Sequence, residues 1–289
     1  MTSMIKTNGI KVWLLAARPK TLTGALAPVI VGLSAAWADK GSLLWLPAVL
    51  CALFALLMQI DSNFINDYLD YRNGTDGEER LGPERACAQG WITPRAMQWG
   101  IGIITLLACL IGLPLIIWGG WAMVIVGVAC VVGSFLYSLL FARIALGDLL
   151  VLLFFGIVPV CVTYYLQTGT DTVEIMLASL AMGMVTDCLL IVNNYRDRNT
   201  DRLAGKRTLV TLIGERATEW LYLLMGLVAF LFCLPQSYFL VLFLPFHVYN
   251  WYRMKTIHEG RALNAILGRA ASNIFIFALL YSIGVIWGI

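Results

Sequence analysis

The sequence predicts an all-α membrane protein, a polytopic bundle of about nine transmembrane helices. Of its 289 residues, 60 % are hydrophobic and only 13 % are charged. The hydrophobic residues occur in repeated runs of roughly 20, the length at which a helix crosses the hydrocarbon core of a bilayer. The basic residues lie in alternate connections between these runs. These observations exclude an ordinary soluble domain and predict a single membrane domain over residues 1–289.

Most of the predicted spans are separated by short connections. In chain order the spans cover residues 22–38, 43–66, 97–118, 120–140, 148–167, 173–195, 217–234, 236–254 and 270–288. The breaks at 119–120 and 234–236 are weak, so seven or eight spans are the alternative. Two connections are long, 68–96 and 196–216, and both fall on the same side. No cleavable signal peptide is expected, because the first span lacks a small-residue cleavage pattern and a polar segment after it.

The positive charges give the predicted spans an orientation. With nine spans, every Lys and Arg except Lys40 falls on one side of the membrane. Basic residues are enriched on the cytoplasmic side. This distribution therefore predicts a cytoplasmic N-terminus and an outside C-terminus in the cell (inner, cytoplasmic) membrane. The two His residues are isolated and the seven Cys form no C-x-x-C pair, which argues against a His-based metal site or a haem.

Two acid-rich segments follow the second and sixth apolar runs. Asn66–Asp70 and Asn193–Asp197 share the pattern N-x-Y-x-D, and the segments continue to Asp76 and Asp201. Carboxylates at a helix C-terminus face the negative end of the helix dipole, which disfavours them. A cation is therefore expected to compensate. Oxygen-only ligands of this kind suit Mg²⁺ that is shared with substrate phosphates.

Polar residues extend from both segments back into the membrane and form one stripe on each helix, at 100° per residue. The stripes comprise Gln59, Asn63, Asn66, Asp67 and Asp70 on the second span, and Asp187, Asn194, Asp197 and Asp201 on the sixth. Lipid cannot solvate such side chains, so they face the bundle interior or water. Two facing stripes would form a polar cavity open to the cytoplasm. An acidic helix end that is simply solvated is the alternative.

Basic residues accompany the acidic ones, as a diphosphate would require. Arg72 and Arg80 flank the first segment, and Arg198, Lys206 and Arg207 follow the second. A diphosphate needs metal bridging and direct cationic contacts, for which Arg offers a planar bidentate fork. We favour this interpretation for Lys206 and Arg207. The alternative is that these charges only set the membrane topology.

The two motifs resemble those of the UbiA-type intramembrane aromatic prenyltransferases. That family carries N-D-x-x-D-x-x-x-D after its second span and D-x-x-x-D after its sixth. This chain has the first motif at Asn66–Asp70, with Asp76 two residues later than the usual third Asp, and an intact second motif at Asp197–Asp201. Within the family, the chain is most similar to the enzymes that prenylate 1,4-dihydroxy-2-naphthoate for menaquinone synthesis. The segments behind that likeness are Arg18–Thr21, Asn66–Tyr68, Gly74–Asp76, Arg80–Pro83, Leu146–Asp148 and Asn193–Leu209.

The resemblance implies a bundle around a central cavity, with a cytoplasmic cap formed by the loops after helices 2 and 6. It implies transfer of a polyprenyl group from polyprenyl diphosphate to 1,4-dihydroxy-2-naphthoate with decarboxylation, giving demethylmenaquinol and diphosphate. The residues expected to hold Mg²⁺ are Asp67, Asp70, Asp197 and Asp201. Lys206 and Arg207 would stabilise the leaving group. Further residues expected to bind the substrates are Asn63, Asn66, Arg72, Asp76, Asn194 and Arg198.

Other residues are expected on the acceptor side of the cavity. Arg18 or Lys20 would hold the acceptor carboxylate, with a headgroup-facing anchor as the alternative. The resemblance favours Tyr137 and Arg143 as lining residues. Asp187 would act on the acceptor ring or its hydroxyls, and a neutral, hydrogen-bonded structural Asp is the alternative.

Two other functions stay open from the sequence. The chain could prenylate another acceptor, such as 4-hydroxybenzoate or haem. It could also be a cation-coupled transporter, since intramembrane acids suit ion pathways. A transporter would place its carboxylates near the bilayer midplane, whereas these cluster at one face. The expected partners are the two substrates and the lipid bilayer, with no nucleic acid and no obligatory protein partner. Asp61 lies off the stripe and is expected to contact a polar group on a neighbouring helix.

Overall fold

The chain forms a bundle of helices in which the two acidic motifs end two of the longest members. A computed structural model describes residues 7–74, 81–82, 84–139 and 145–288. All elements of more than one residue within these ranges are helices, turns or bends. The α-helices are α1 (Ile10–Ala17), α2 (Pro19–Lys40), α3 (Trp45–Arg72), α4 (Pro94–Gly112), α5 (Ile116–Gly119), α6 (Ala122–Leu139), α7 (Gly147–Leu152), α8 (Val158–Thr168), α9 (Val173–Leu203), α10 (Leu209–Ile213), α11 (Glu215–Cys233), α12 (Phe243–Ile257) and α13 (Asn264–Trp287).

Short segments of other helix types join some of these elements. The 3₁₀ turns are Leu113–Leu115 between α4 and α5, Tyr238–Leu242 before α12, and Arg261–Leu263 before α13. A π-helical segment, Leu153–Ile157, joins α7 to α8.

The helix lengths bear out the predicted polytopic membrane bundle. Within the described ranges, seven helical stretches are long and apolar enough to cross a membrane: α2, α3, α4 with α5, α7 with α8, α9, α11 and α13. The shorter helices α6 and α12 cover the other two predicted spans, so nine crossings stay a prediction. The two weak breaks between predicted spans, at 119–120 and 234–236, both coincide with the ends of helices. α5 stops at Gly119, where Gly120 has a φ of +62°, and α11 stops at Cys233.

The outer surface of the bundle is apolar, as lipid requires. α4 shows this most clearly, because Trp99, Ile103, Leu106 and Leu110 along it are all more than half exposed. Side chains of this kind are expelled from water but tolerated by acyl chains. The exposed face of α4 therefore marks a side of the bundle that contacts lipid.

Small residues let the inner helices approach closely around α9. Gly156 in the π segment lies against α9: a Cβ there would be 2.5 Å from the Ser179 carbonyl oxygen and 2.7 Å from the Gly183 Cα. Such backbone contact is the usual way in which membrane helices associate. It holds α7, with Asp148 in its first turn, beside the middle of α9.

The two motif helices continue beyond their predicted spans. α3 has 28 residues and α9 has 31, more than the roughly 20 that a bilayer needs. The helices therefore run past the predicted span ends at 66 and 195. Asp70 and Asp201 lie on these last helical turns, as the stripes at 100° per residue predicted.

Candidate functional site

The first acidic motif is covered by the loop that follows it. Asp67 is 2 % exposed, and its two carboxylate oxygens accept hydrogen bonds from the backbone N–H groups of Ala86 and Cys87, both at 2.9 Å. Asp70, one turn later, pairs with Arg85 at 2.5 Å. Two carboxylates of α3 thus anchor the segment 84–87 against the end of their own helix.

The polar stripe below this motif faces the junction of α1 and α2. Asn63 donates hydrogen bonds to the Ala17 carbonyl and the Thr21 hydroxyl, both at 3.0 Å. Between these partners, Arg18 adopts the left-handed conformation (φ +51°) that separates the two helices. Arg18 and Asp67 line the same small cavity. The structure thus brings Arg18 to the first motif.

The second motif ends α9 with two ion pairs. Arg196 contacts Asp197 through two nitrogens, at 2.7 and 2.5 Å. Asp201 is buried and lies 3.4 Å from the Lys206 ammonium group. The cations that offset the unfavourable helix-end carboxylates are thus basic side chains of the chain itself.

One residue of α13 joins the two motif regions. The Asn264 side chain donates to the Leu81 carbonyl at 2.9 Å and accepts from Arg196 at 2.7 Å. Leu81 belongs to the connection after α3, and Arg196 directly precedes Asp197. The two acidic ends therefore lie on the same side of the bundle and share a contact.

A small cavity lies between α6, α7 and α9. Its lining residues are Tyr137, Ala145, Gly147, Asp148, Leu190, Asn194 and Thr208. Leu190 and Asn194 belong to α9, and Tyr137 belongs to α6, which packs against α3. The cavity therefore lies beside α9 and beside a helix that contacts α3.

The remaining predicted site residues differ in their exposure to solvent. Lys20, Arg72 and Arg207 are exposed, and Asn66 is half-buried on α3. Asp76 and Arg143 lie outside the described residues.

Arg198 has buried contacts that its predicted substrate-binding role did not include. It is 1 % exposed, and its guanidinium group lies 3.0 Å from the Glu215 carboxylate and donates to His258 at 2.8 Å. The same group stacks over the Tyr195 ring. These partners lie on α9, at the start of α11 and at the end of α12, so Arg198 links the three helices; its substrate contact stays a prediction.

The intramembrane acids differ sharply in their partners. As expected, Asp61 contacts a neighbouring helix: it accepts a hydrogen bond from the Thr105 hydroxyl of α4 at 2.9 Å. Asp187 is fully buried, and neither of its oxygens has a hydrogen-bond partner in the described parts of the chain. The alternative of a hydrogen-bonded structural Asp187 therefore does not describe this structure.

The motif carboxylates are suitable ligands for a divalent cation, but those that the structure describes are not arranged around a common point. Oxygen ligands at one end of the bundle suit Mg²⁺, and Asp70, Asp197 and Asp201 each face a cationic side chain that a metal could replace. Asp67 fits less well, since backbone donors occupy both of its oxygens. Among the described residues, no group of three or more potential ligands is assembled.

Sequence reasoning missed the partners of the motif acids. Arg85 and Arg196 are basic residues near the motifs, and the charge pattern of the motifs could have indicated them. Asn264 gives no such signal, because it lies 183 residues from Leu81 in the chain.

Comparison with known proteins agrees with the motifs. Over 298 aligned positions the chain is 31 % identical to a 1,4-dihydroxy-2-naphthoate octaprenyltransferase of Haemophilus influenzae, covering 96 % of this chain and 97 % of that protein. It is 39 % identical to the protein of that name in Escherichia coli, over 70 % of this chain and 68 % of the relative.

The fold also matches solved structures. A UbiA homologue from Archaeoglobus fulgidus, bound to GPP and Mg²⁺, superposes with a TM-score of 0.67 over 95 % of this chain and 99 % of that one, at 16 % identity. Residues 25–266 match the UbiA prenyltransferase family, and the chain is a member of that family.

Proposed function

We propose that this chain transfers a polyprenyl group from a polyprenyl diphosphate to 1,4-dihydroxy-2-naphthoate, with decarboxylation, giving demethylmenaquinol and diphosphate. Likeness over nearly the whole chain to a relative named for that acceptor supports the choice of substrate. The observation that carries the proposal is the meeting of two acidic helix ends, each beside basic side chains, through Asn264. Such a site combines ligands for a metal with donors for phosphate.

Mg²⁺ would be held by Asp70, Asp197 and Asp201, and would neutralise charge on the departing diphosphate. The Archaeoglobus fulgidus homologue binds GPP together with Mg²⁺, which supports the same pairing here. For Asp67 we infer a supporting role at the metal, since it fixes the loop that carries Arg85.

Basic side chains would bind the diphosphate directly. Lys206 already lies against Asp201. It would move to a phosphate oxygen when that carboxylate binds metal, because charge-assisted hydrogen bonds to phosphate are strong. Arg207 and Arg72 are exposed near the same end of the bundle and would contact the terminal phosphate group of the diphosphate. Arg198 would hold α9 in place.

The acceptor would enter the cavity beside Tyr137 and Asn194. Arg18 is a candidate partner for its carboxylate, because Arg18 lies beside Asp67 and offers a bidentate fork. The apolar bundle would exclude water from the allylic cation that forms as the C–O bond breaks. We place this site on the cytoplasmic side of the cell membrane, with the N-terminus inside and the C-terminus outside.

Activity of the purified protein tests this proposal. We expect Mg²⁺-dependent release of diphosphate from a polyprenyl donor with 1,4-dihydroxy-2-naphthoate as the acceptor, and equimolar release of CO₂. Turnover with 4-hydroxybenzoate in its place would reassign the acceptor. No diphosphate release with either acceptor, in protein that elutes as a single folded species, would contradict prenyl transfer.

A further inference from the structure

Two buried carboxyl groups, Asp148 in the first turn of α7 and Asp187 on α9, lie on helices that pack against each other. Asp187 is 0 % exposed and Asp148 is 8 % exposed. Both oxygens of Asp187 and the Oδ1 of Asp148 have no hydrogen-bond partner among the described residues. The two side chains are close enough to interact electrostatically. The packing of the π segment on α9, at Gly156, brings them together.

This arrangement is costly for the fold. Burying a polar group without a hydrogen bond costs on the order of 1–3 kcal/mol, and an unpaired buried charge costs more. Two carboxylates near each other in an apolar interior repel, which adds to this cost. Native structures satisfy nearly all buried polar atoms, and an exception of this size suggests a functional role.

The position of the pair identifies what it faces. Asp148 lines the cavity together with Tyr137 and Asn194. Asp187 lies ten residues before Asp197 on the same helix, or about 15 Å along its axis at 1.5 Å per residue. Leu190 and Asn194, which line the same cavity, follow Asp187 by three and seven residues and so lie on the same face of α9 as Asp187.

Building on the proposed function, we propose that Asp187 takes the proton of an acceptor-ring hydroxyl as the ring attacks the allylic carbon, and returns it when CO₂ has left. Asp148 is a positioning residue, which keeps Asp187 oriented toward the cavity and sets the charge of the pair.

The proposed steps balance in atoms and charge. The allylic C–O bond breaks and its electron pair leaves with diphosphate. The ring carbon that bears the carboxylate forms the new C–C bond, while the neighbouring hydroxyl gives its proton to Asp187 and becomes a ketone. The C–COO⁻ bond then breaks, and its electron pair restores the aromatic ring. The oxygen recovers its proton from Asp187.

Substitution of Asp187 separates this role from donor binding. For Asp187→Asn we expect kcat with 1,4-dihydroxy-2-naphthoate to fall by about 10²- to 10⁴-fold, the usual contribution of a positioned base. The KM for geranyl diphosphate should stay within about twofold of the parent. Asp148→Asn should lower kcat less, with both KM values unchanged.

The matched control is Asp61→Asn, which alters another fully buried intramembrane acid that faces Thr105 and not the cavity. Its kcat should stay within about twofold of the parent. Equal kcat for Asp187→Asn and Asp61→Asn would overturn the proton role. Absence of product from the unsubstituted protein would instead refute the proposed function.

A second measurement does not depend on the folding of the variants. With the unsubstituted protein, the methyl ether of the hydroxyl that neighbours the carboxylate should lose turnover by a factor similar to that for Asp187→Asn, because it has no proton to give. A methyl ether that is prenylated as fast as the parent acceptor would overturn the proposal.

Discussion

The described carboxylates of the two motifs are held by the segments that follow or adjoin their helices. Asp67 binds two backbone N–H groups, Asp70 binds Arg85, and Asp201 binds Lys206. These contacts fold the connections back onto the ends of α3 and α9. The residue types of the motifs could be read from the sequence. The charge pattern marks nearby basic residues as candidate partners, but it does not decide which of them pairs, since a loop Arg that pairs with an acid looks the same as one that faces water.

Asp67→Asn tests whether the first of these contacts holds its loop. The amide offers a donor where a backbone N–H needs an acceptor, which leaves a buried group unpaired at a cost of about 1–3 kcal/mol. We expect faster tryptic cleavage after Arg85 and at least tenfold slower prenyl transfer. Asp171→Asn, in the exposed turn between α8 and α9, is the control. Unchanged cleavage and turnover in Asp67→Asn would refute the anchoring role.

At the scale of elements, hydropathy located the helices but not their ends. Apolar runs predicted every long helix, because the bilayer imposes both length and composition. Hydropathy alone does not reach the last turns of α3 and α9, since their residues are polar; the 100° spacing of Asp70 and Asp201 is what placed these acids on the helices. The π segment also gave no signal, and in the structure its Gly156 packs against the backbone of α9.

Gly156→Ala tests this helix contact. A methyl group there would lie 2.5 Å from the Ser179 carbonyl oxygen, so α7 and α9 must separate. We expect a loss of about 1–3 kcal/mol in stability, as for other overpacked cores, and slower turnover as Asp148 moves away from Asp187. Gly102→Ala on α4, where a Cβ would meet nothing within 4 Å, is the control. Equal thermal stability of the two variants in detergent would contradict this account of the packing.

At the scale of the whole molecule, the distribution of basic residues implies a single orientation. Every Lys and Arg except Lys40 falls on one predicted side, and the described motifs and their covering loops lie at one end of the bundle. The sequence could predict the family and the chemistry of this end. It could not predict how the two ends are joined, since Asn264 connects segments that are far apart in the chain.

Reporter fusions test the orientation. Alkaline phosphatase fused after Ile289 should be active, because the C-terminus is expected outside, and the same enzyme fused after Gly214 should be inactive. A cytoplasmic fluorescent reporter at the same two positions should give the opposite pattern. Active phosphatase at Gly214 would reverse the proposed topology and would move the site to the outer face.

The most direct test of the central claim, that both acidic helix ends bind one metal–diphosphate group, is a double-mutant cycle. Mg²⁺-dependent binding of geranyl diphosphate would be measured for Asp70→Asn, Asp201→Asn and the double variant. A shared site predicts that each single change weakens binding and that their effects couple by about 0.5–3 kcal/mol. Effects that add within about 0.5 kcal/mol would mean that the two ends act separately, and would contradict the claim.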